Sequence, residues 1–148
     1  MPPLMKIFKY ALIGLVVIGA SVVGYIYLPD LLAKQQAAKV TGTVAYDLTA
    51  CSSEYPLLVE IKNGSNGVVT WVSFHIEGHR EGYSTPLYKS GFRGYSSDKI
   101  ISSGYIGSNC WRLPPVYSGR STESHPPEDL IWKIENIYPE FNPEFQNL

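Results

Sequence analysis

Cysteine is scarce here: 148 residues hold only Cys51 and Cys110, and neither has a Cys-x-x-Cys partner. That argues against thioredoxin-type redox work. Histidine is nearly as rare, with His75, His79 and His125 the full set. Clustered lysine and arginine are missing too. Residues 40–148 carry eight Lys/Arg against twelve Asp/Glu, a net −4. A mildly acidic domain lacks the electrostatic footprint of a nucleic-acid binder. No G-x-S-x-G elbow occurs, and the serine-rich stretch at 118–124 lacks the spacing that cradles phosphate. After Lys39 there is no helical periodicity. These absences leave no catalytic set, no cofactor motif and no nucleic-acid partner to expect.

What the chain does have begins at Ala11. "ALIGLVVIGASVVGYIYL", residues 11–28, runs eighteen positions without a charge, behind Lys6 and Lys9. About twenty apolar residues at 1.5 Å rise each cross a hydrocarbon core of about 30 Å. Tyr25 and Tyr27 stand at its far end, where aromatic rings favour the interface. A cleavable signal would need a small-x-small site, and the best candidate, "IGA" at 18–20, has bulky Ile18 and apolar residues continuing beyond it. An uncleaved signal anchor is therefore expected. Lys34 and Lys39 nearly balance Lys6 and Lys9, so charge alone gives only a slight bias toward a cytoplasmic N-terminus. The cysteines break the tie. An isolated pair in a small exported domain usually forms a disulfide, and the alternative is two unrelated thiols in a cytosolic domain. The expected layout is a cytoplasmic segment 1–10, a transmembrane helix 11–28, a juxtamembrane helical stalk 29–39, a periplasmic domain 40–138 and an extended tail 139–148. This is the plan of a single-pass protein of a bacterial inner membrane.

From Val40 the texture becomes short β-type runs between turn signals. "PLLVEIKN" alternates Leu57, Val59, Ile61 against Leu58, Glu60, Lys62. "NGSNG" at 63–67 predicts a hairpin turn, since Asn and Gly tolerate positive φ. The next run puts Val68, Val72, Phe74 and Ile76 on one face. The last alternates Leu130, Trp132, Ile134 against Ile131, Lys133, Glu135. About seven strands in about 100 residues predict an all-β domain, an immunoglobulin-like β-sandwich. The spacing Cys51, Trp71, Cys110 is similar to the immunoglobulin Cys–Trp–Cys pattern. It departs in placing Cys51 in a loop and Ser108 where a tyrosine corner would stand. Residues 57–82, "LLVEIKNGSNGVVTWVSFHIEGHREG", resemble the central hairpin of bacterial FxLYD-like sandwich domains. The matching positions are Val59, Ile61, Asn63 and Ser65, then Val69, Val72 and Phe74, while Phe-x-Leu-Tyr-Asp itself is absent. The resemblance implies an exported, membrane-tethered, non-catalytic module.

Two stretches could carry function. In "HIEGH", His75, Glu77 and His79 recur at every second position. Residues i and i+2 of a strand share a face about 6.6 Å apart, and i and i+4 about 13 Å, so the two histidines cannot share one ion without a bulge. A structural zinc wants four ligands. The expectation is no metal site but a solvent-facing strand. In "EGYSTPLYKSGFRGYSSD", Tyr83, Tyr88, Phe92 and Tyr95 cluster with Arg93 among glycines and serines, a composition enriched at interface hot spots. The tail repeats Pro-Glu-Phe, with Phe141 and Phe145 able to lie along a partner. The expected function is an accessory or assembly subunit of a larger integral membrane complex. The rival is an envelope sensor with an aromatic ligand pocket around Tyr83–Tyr95. Asn63-Gly64-Ser65 also matches a glycosylation acceptor.

Overall fold

The computed structural model describes residue 25, residues 27–117 and residues 126–142. The chain divides into two compact units, Met1–Gln35 and Gln36–Leu148. Most of the predicted span, 11–28, lies outside the described residues. Among those described, no helix is long and apolar enough to cross a membrane. Within the first unit, helical backbone runs from residue 27 into the predicted stalk. Asp30 and Lys34 pair at 2.9 Å on one side, the i,i+4 spacing that brings side chains together on a helix. Leu28, Leu31 and Leu32 are exposed.

The second unit is mostly β, with seven strands in two sheets, the β-sandwich expected from the alternation. The strands are β1 (Val40–Tyr46), β2 (Leu57–Asn63), β3 (Val69–His79), β4 (Tyr88–Lys89), β5 (Tyr95–Ser97), β6 (Ile106–Trp111) and β7 (Ile131–Phe141). The first sheet has the order β1-β2-β6. In the second, β3 is central, with β7 on one side and β4 and β5 on the other; all described pairings are antiparallel. The predicted faces are the inward ones. Leu57, Val59 and Ile61 of β2 meet Val72, Phe74 and Ile76 of β3 in the core. Each such side chain, fully buried, stabilises the fold by roughly 1.5–3 kcal/mol. Phe74 anchors an aromatic group, stacked on Tyr95 at 5.9 Å and edge-on to Trp111 at 5.6 Å.

One expectation needs correction. Residues 63–67 do not turn a hairpin: β2 and β3 lie in different sheets, and the segment is an arch between them. Nor does it use positive φ; among the described residues that conformation falls at Gly82, Gly94, Gly104 and Asn136. The physical reason is Asn63. Its side chain is fully buried, donates to the carbonyls of Gly67 and Ile101 at 2.8 Å each, and accepts from the Ser65 N–H and hydroxyl. Side-chain bonds, not a tight backbone turn, lift the chain from one sheet to the other. The departure from the Cys–Trp–Cys pattern holds in space. Cys51 and Cys110 do form a disulfide, but Cys51 sits in the β1–β2 loop and Cys110 opposite Leu58 of β2, so the bond ties one sheet's loop to that same sheet. Trp71 is 40% exposed.

The sandwich manages its edges. On β7, Asn136 at φ 55° breaks the register opposite Phe74 and His75, and Pro139 removes a donor. Bulge, proline and the charges of Lys133 and Glu135 make a poor template for a further strand. On β6, Lys99 donates to the Ser108 carbonyl and the Asn109 side chain accepts from the Cys110 N–H, both at 3.0 Å. Gly78 sits where β3 passes the Trp132 ring; an added Cβ would lie 2.8 Å from it.

Candidate functional site

The face of β3 that carries the histidines is not a wet one. The side chains of Glu77 and His79 are only 13% and 9% exposed. Glu77 takes Lys89 Nζ at 2.7 Å on one oxygen and His79 Nε2 at 3.0 Å on the other. Because β3 is central, neighbours on both sides cover this face: Lys89 lies opposite Glu77 on β4, Lys133 opposite it on β7, and Ile131 opposite His79. His79 Nδ1 is buried with no hydrogen-bond partner. Among the described residues no three His, Cys, Asp or Glu side chains are grouped to hold a metal ion. His125 lies outside those residues. His75 packs on Gly94, where φ is +61° and an added Cβ would strike the Phe74 carbonyl oxygen at 2.5 Å.

Burial pushes the Glu77 carboxyl up, but the hydrogen bonds from Lys89 and His79 outweigh it, and the net pKa lies below the ordinary 4.5. A carboxylate whose folded pKa is depressed contributes stability above its unfolded pKa and loses it as pH falls through the folded one. Acid unfolding should therefore be steeper below about pH 4.5 in the wild type than in Glu77→Gln, which has nothing to protonate. Denaturant midpoints at pH 7 and at stepped acidic pH check this; parallel pH profiles would remove Glu77 from the acid response.

The predicted contact residues separate. Tyr88 is buried against Trp132. Tyr95 packs beside Phe74 and donates to the Arg112 carbonyl at 2.9 Å, and burial pushes its phenol up to about 12. Phe141 packs against the core, and Phe145 lies outside the described residues. Two aromatics remain outside. Tyr83 holds the Arg80 guanidinium over its ring at 4.0 Å. Phe92 is 101% exposed beside exposed Arg93, on a turn closed by the Gly94 N–H donating to the Gly91 carbonyl at 3.0 Å. Tyr88 and Tyr95 thus face the core, while Tyr83 stands outside it. The inter-sheet cleft lies elsewhere, among Val72, Phe74, Lys99, Ile101 and Trp111, and at about 10 Å³ has room for one water.

Strand register sorts the rest of the surface into two ends. Val40 faces Asn63, Lys62 faces Ile106, and Val69 faces both Phe141 and Ile101. The end where β1 begins is therefore built from the 63–67 arch, the 98–105 segment and the end of β7. Asn63 binds these together: its N–H donates to the Tyr105 carbonyl at 3.0 Å, and its own carbonyl accepts from Gly104 at 2.7 Å. The Ser103 hydroxyl adds a bond to the Ser65 carbonyl at 2.6 Å. This rigid rim displays Ile100, Tyr105 and Ile106, which are 68%, 70% and 58% exposed. Composition did not single out these three; only the register groups them. Beside them stand exposed Lys39, Lys62 and Lys99, none ion-paired among the described residues, together with the exposed carboxylates Glu60, Asp98 and Glu140. The far end is more acidic: Asp47, Glu54, Glu81, Glu128 and Asp129 against Arg80 and Arg112, the latter paired with Glu54.

The chain matches no known family model, curated protein or solved structure. The FxLYD-like resemblance of residues 57–82 accordingly rests on the quoted residues alone. In the fold, its Asn63 and Ser65 form the buried knot of the arch.

Proposed function

We propose that this protein is a membrane-anchored accessory or assembly subunit, working by contact with a larger integral membrane complex. In this reading residues 11–28 cross a bacterial inner membrane with the N-terminus cytoplasmic. Residues 29–39 form the stalk, and residues 40–138 stand in the periplasm as a module immunoglobulin-like in size and strand count. The observation that carries it is Phe92. Among the described residues, a wholly exposed phenylalanine on a closed, glycine-bracketed turn, with an arginine beside it that no described carboxylate pairs, has the composition of an interface anchor.

Solubilising native membranes in mild detergent and purifying the full chain tests this. A defined larger species is expected, with Phe92→Ser keeping the melting temperature of the wild type and losing the larger species. A clean monomer from both, or a complex indifferent to Phe92→Ser, overturns the proposal.

A further inference from the structure

We infer that Asn66–Gly67, in the 63–67 arch, is a site of spontaneous deamidation in the folded protein, and that the fold shields the same dipeptide at Asn63–Gly64. The reaction needs water alone. The Gly67 backbone nitrogen attacks Asn66 Cγ, and the new N–C bond replaces the Cγ–Nδ2 bond. The displaced nitrogen leaves as ammonia, carrying away the Gly67 amide proton. Water then adds to either carbonyl of the succinimide ring, and opening of the adjacent ring C–N bond leaves aspartate or isoaspartate. Glycine at the second position favours ring closure, since it has no side chain to obstruct the attack and the freest backbone.

The two Asn-Gly pairs share one arch and differ in what holds them. Asn63 is buried with both ends of its amide engaged: Nδ2 donates to the Gly67 and Ile101 carbonyls, and Oδ1 accepts from Ser65. Its Cγ cannot turn toward the Gly64 nitrogen, which itself donates to the Lys39 carbonyl at 3.1 Å, without breaking those bonds. Asn66 is exposed, and among the described residues its side chain makes no hydrogen bond; only its N–H is held, by Gln36 Oε1 at 3.1 Å. The Gly67 N–H is tied only by a 3.3 Å bond to the Ser65 hydroxyl. The other described asparagines are poorer substrates. Cys110 and Ile137 put side chains beside the nitrogen that would attack Asn109 and Asn136, and Pro143, after Asn142, has no N–H.

Isoaspartate routes the main chain through Cβ and so adds one carbon between residues 66 and 67. The Gly67 carbonyl is a partner of the buried Asn63 amide at 2.8 Å, so the insertion pulls on the knot of the arch. Conversion at Asn66 therefore weakens the link between the two sheets.

The test ages the full chain in detergent, in warm and mildly alkaline buffer, beside a reduced sample held in urea. Peptide mass mapping reads amide loss at each asparagine, and labelling by an isoaspartate-specific methyltransferase reads the isomer. In the folded protein, loss at Asn66 should outpace loss at Asn63 by at least about tenfold, because Asn63 reacts only in openings of the arch. In urea the two should react at similar rates. Aged wild type should unfold at lower denaturant than fresh protein. Asn66→Ser, with no amide to lose there, should keep its midpoint on ageing; Gly67→Ala is a poorer block, since its Cβ would lie 3.0 Å from the Phe141 ring. Equal rates at the two positions in folded protein, faster loss at Asn63, or no loss at Asn66 while the urea sample reacts overturns the site. An unchanged midpoint once Asn66 has converted to isoaspartate overturns its effect on the arch.

Discussion

Replacing Asn63 with alanine should destabilise the domain by about 3 kcal/mol, as much as many large-to-small substitutions in its core. The amide is fully buried and makes four side-chain bonds, of which the one to the Ser65 N–H is that group's sole partner among the described residues. Removing it strands the Ser65 N–H inside the protein, at about 1–3 kcal/mol for an unsatisfied group, and weakens the bonding of the Ile101 carbonyl, which keeps the Val69 N–H, and of the Gly67 carbonyl, which keeps the Ser65 hydroxyl. Asn63→Asp should not rescue: it keeps the acceptors, loses both donors and buries a charge. Ser65→Ala, which leaves Asn63 with both donor bonds, should lose only about 1 kcal/mol. Urea midpoints of the three variants provide the measurement, and a loss under about 1 kcal/mol for Asn63→Ala would mean that the arch holds without its knot. The same burial answers the glycosylation motif at 63–65. In the folded domain this amide has no room for a glycan.

The second large effect belongs to the disulfide. Cys51 and Cys110 are 59 residues apart, and opening that loop by Cys51→Ser with Cys110→Ser should lower stability by about 4 kcal/mol in the chain-entropy picture. The loop that presents Cys51 has support of its own. Asp47 accepts from the Thr49 hydroxyl, the Thr49 N–H and the Ala50 N–H, which hold its carboxyl below the usual range, and its carbonyl accepts from the Cys51 N–H. The folded geometry should therefore survive in the double variant, with the change confined to stability. Equilibrium unfolding with and without reductant checks this in the wild type. Coincident curves would show that the bond contributes nothing.

Period-2 alternation was a good guide wherever one face of a strand meets the core, as in Leu57, Val59, Ile61 and in Val72, Phe74, Ile76. It misled where a strand is flanked on both sides. His75, Glu77 and His79 look outward by alternation, yet side chains from β4 and β7 cover Glu77 and His79, and His75 is half-buried. The arch was misread for a related reason. Asn-Gly dipeptides signal local backbone preference, while the destination of Asn63's side chain, Ile101, lies 38 residues on. Residue spacing cannot report such a partner. Tyr88 and Tyr95 read as surface residues because their segment is rich in glycine and serine, but two- and three-residue strands were enough to aim their rings inward. The grouping of Ile100, Tyr105 and Ile106 with Lys62 was equally hidden, since it exists only once β2 pairs with β6.

Asn63 also imposes an order of events on a growing chain. A segment holding only β1, β2 and β3 would leave this amide without Ile101, β2 without β6, Cys51 without Cys110, and the long central strand without β7, its most extensive neighbour. The early portion has the β1–β2 pair and the β2–β3 core face but cannot close fully, because these further partners arrive later in the chain. Such distant pairings make folding slow and late. The domain should stay protease-sensitive through most of its emergence and become resistant in one step, when residues 131–141 take their place along β3.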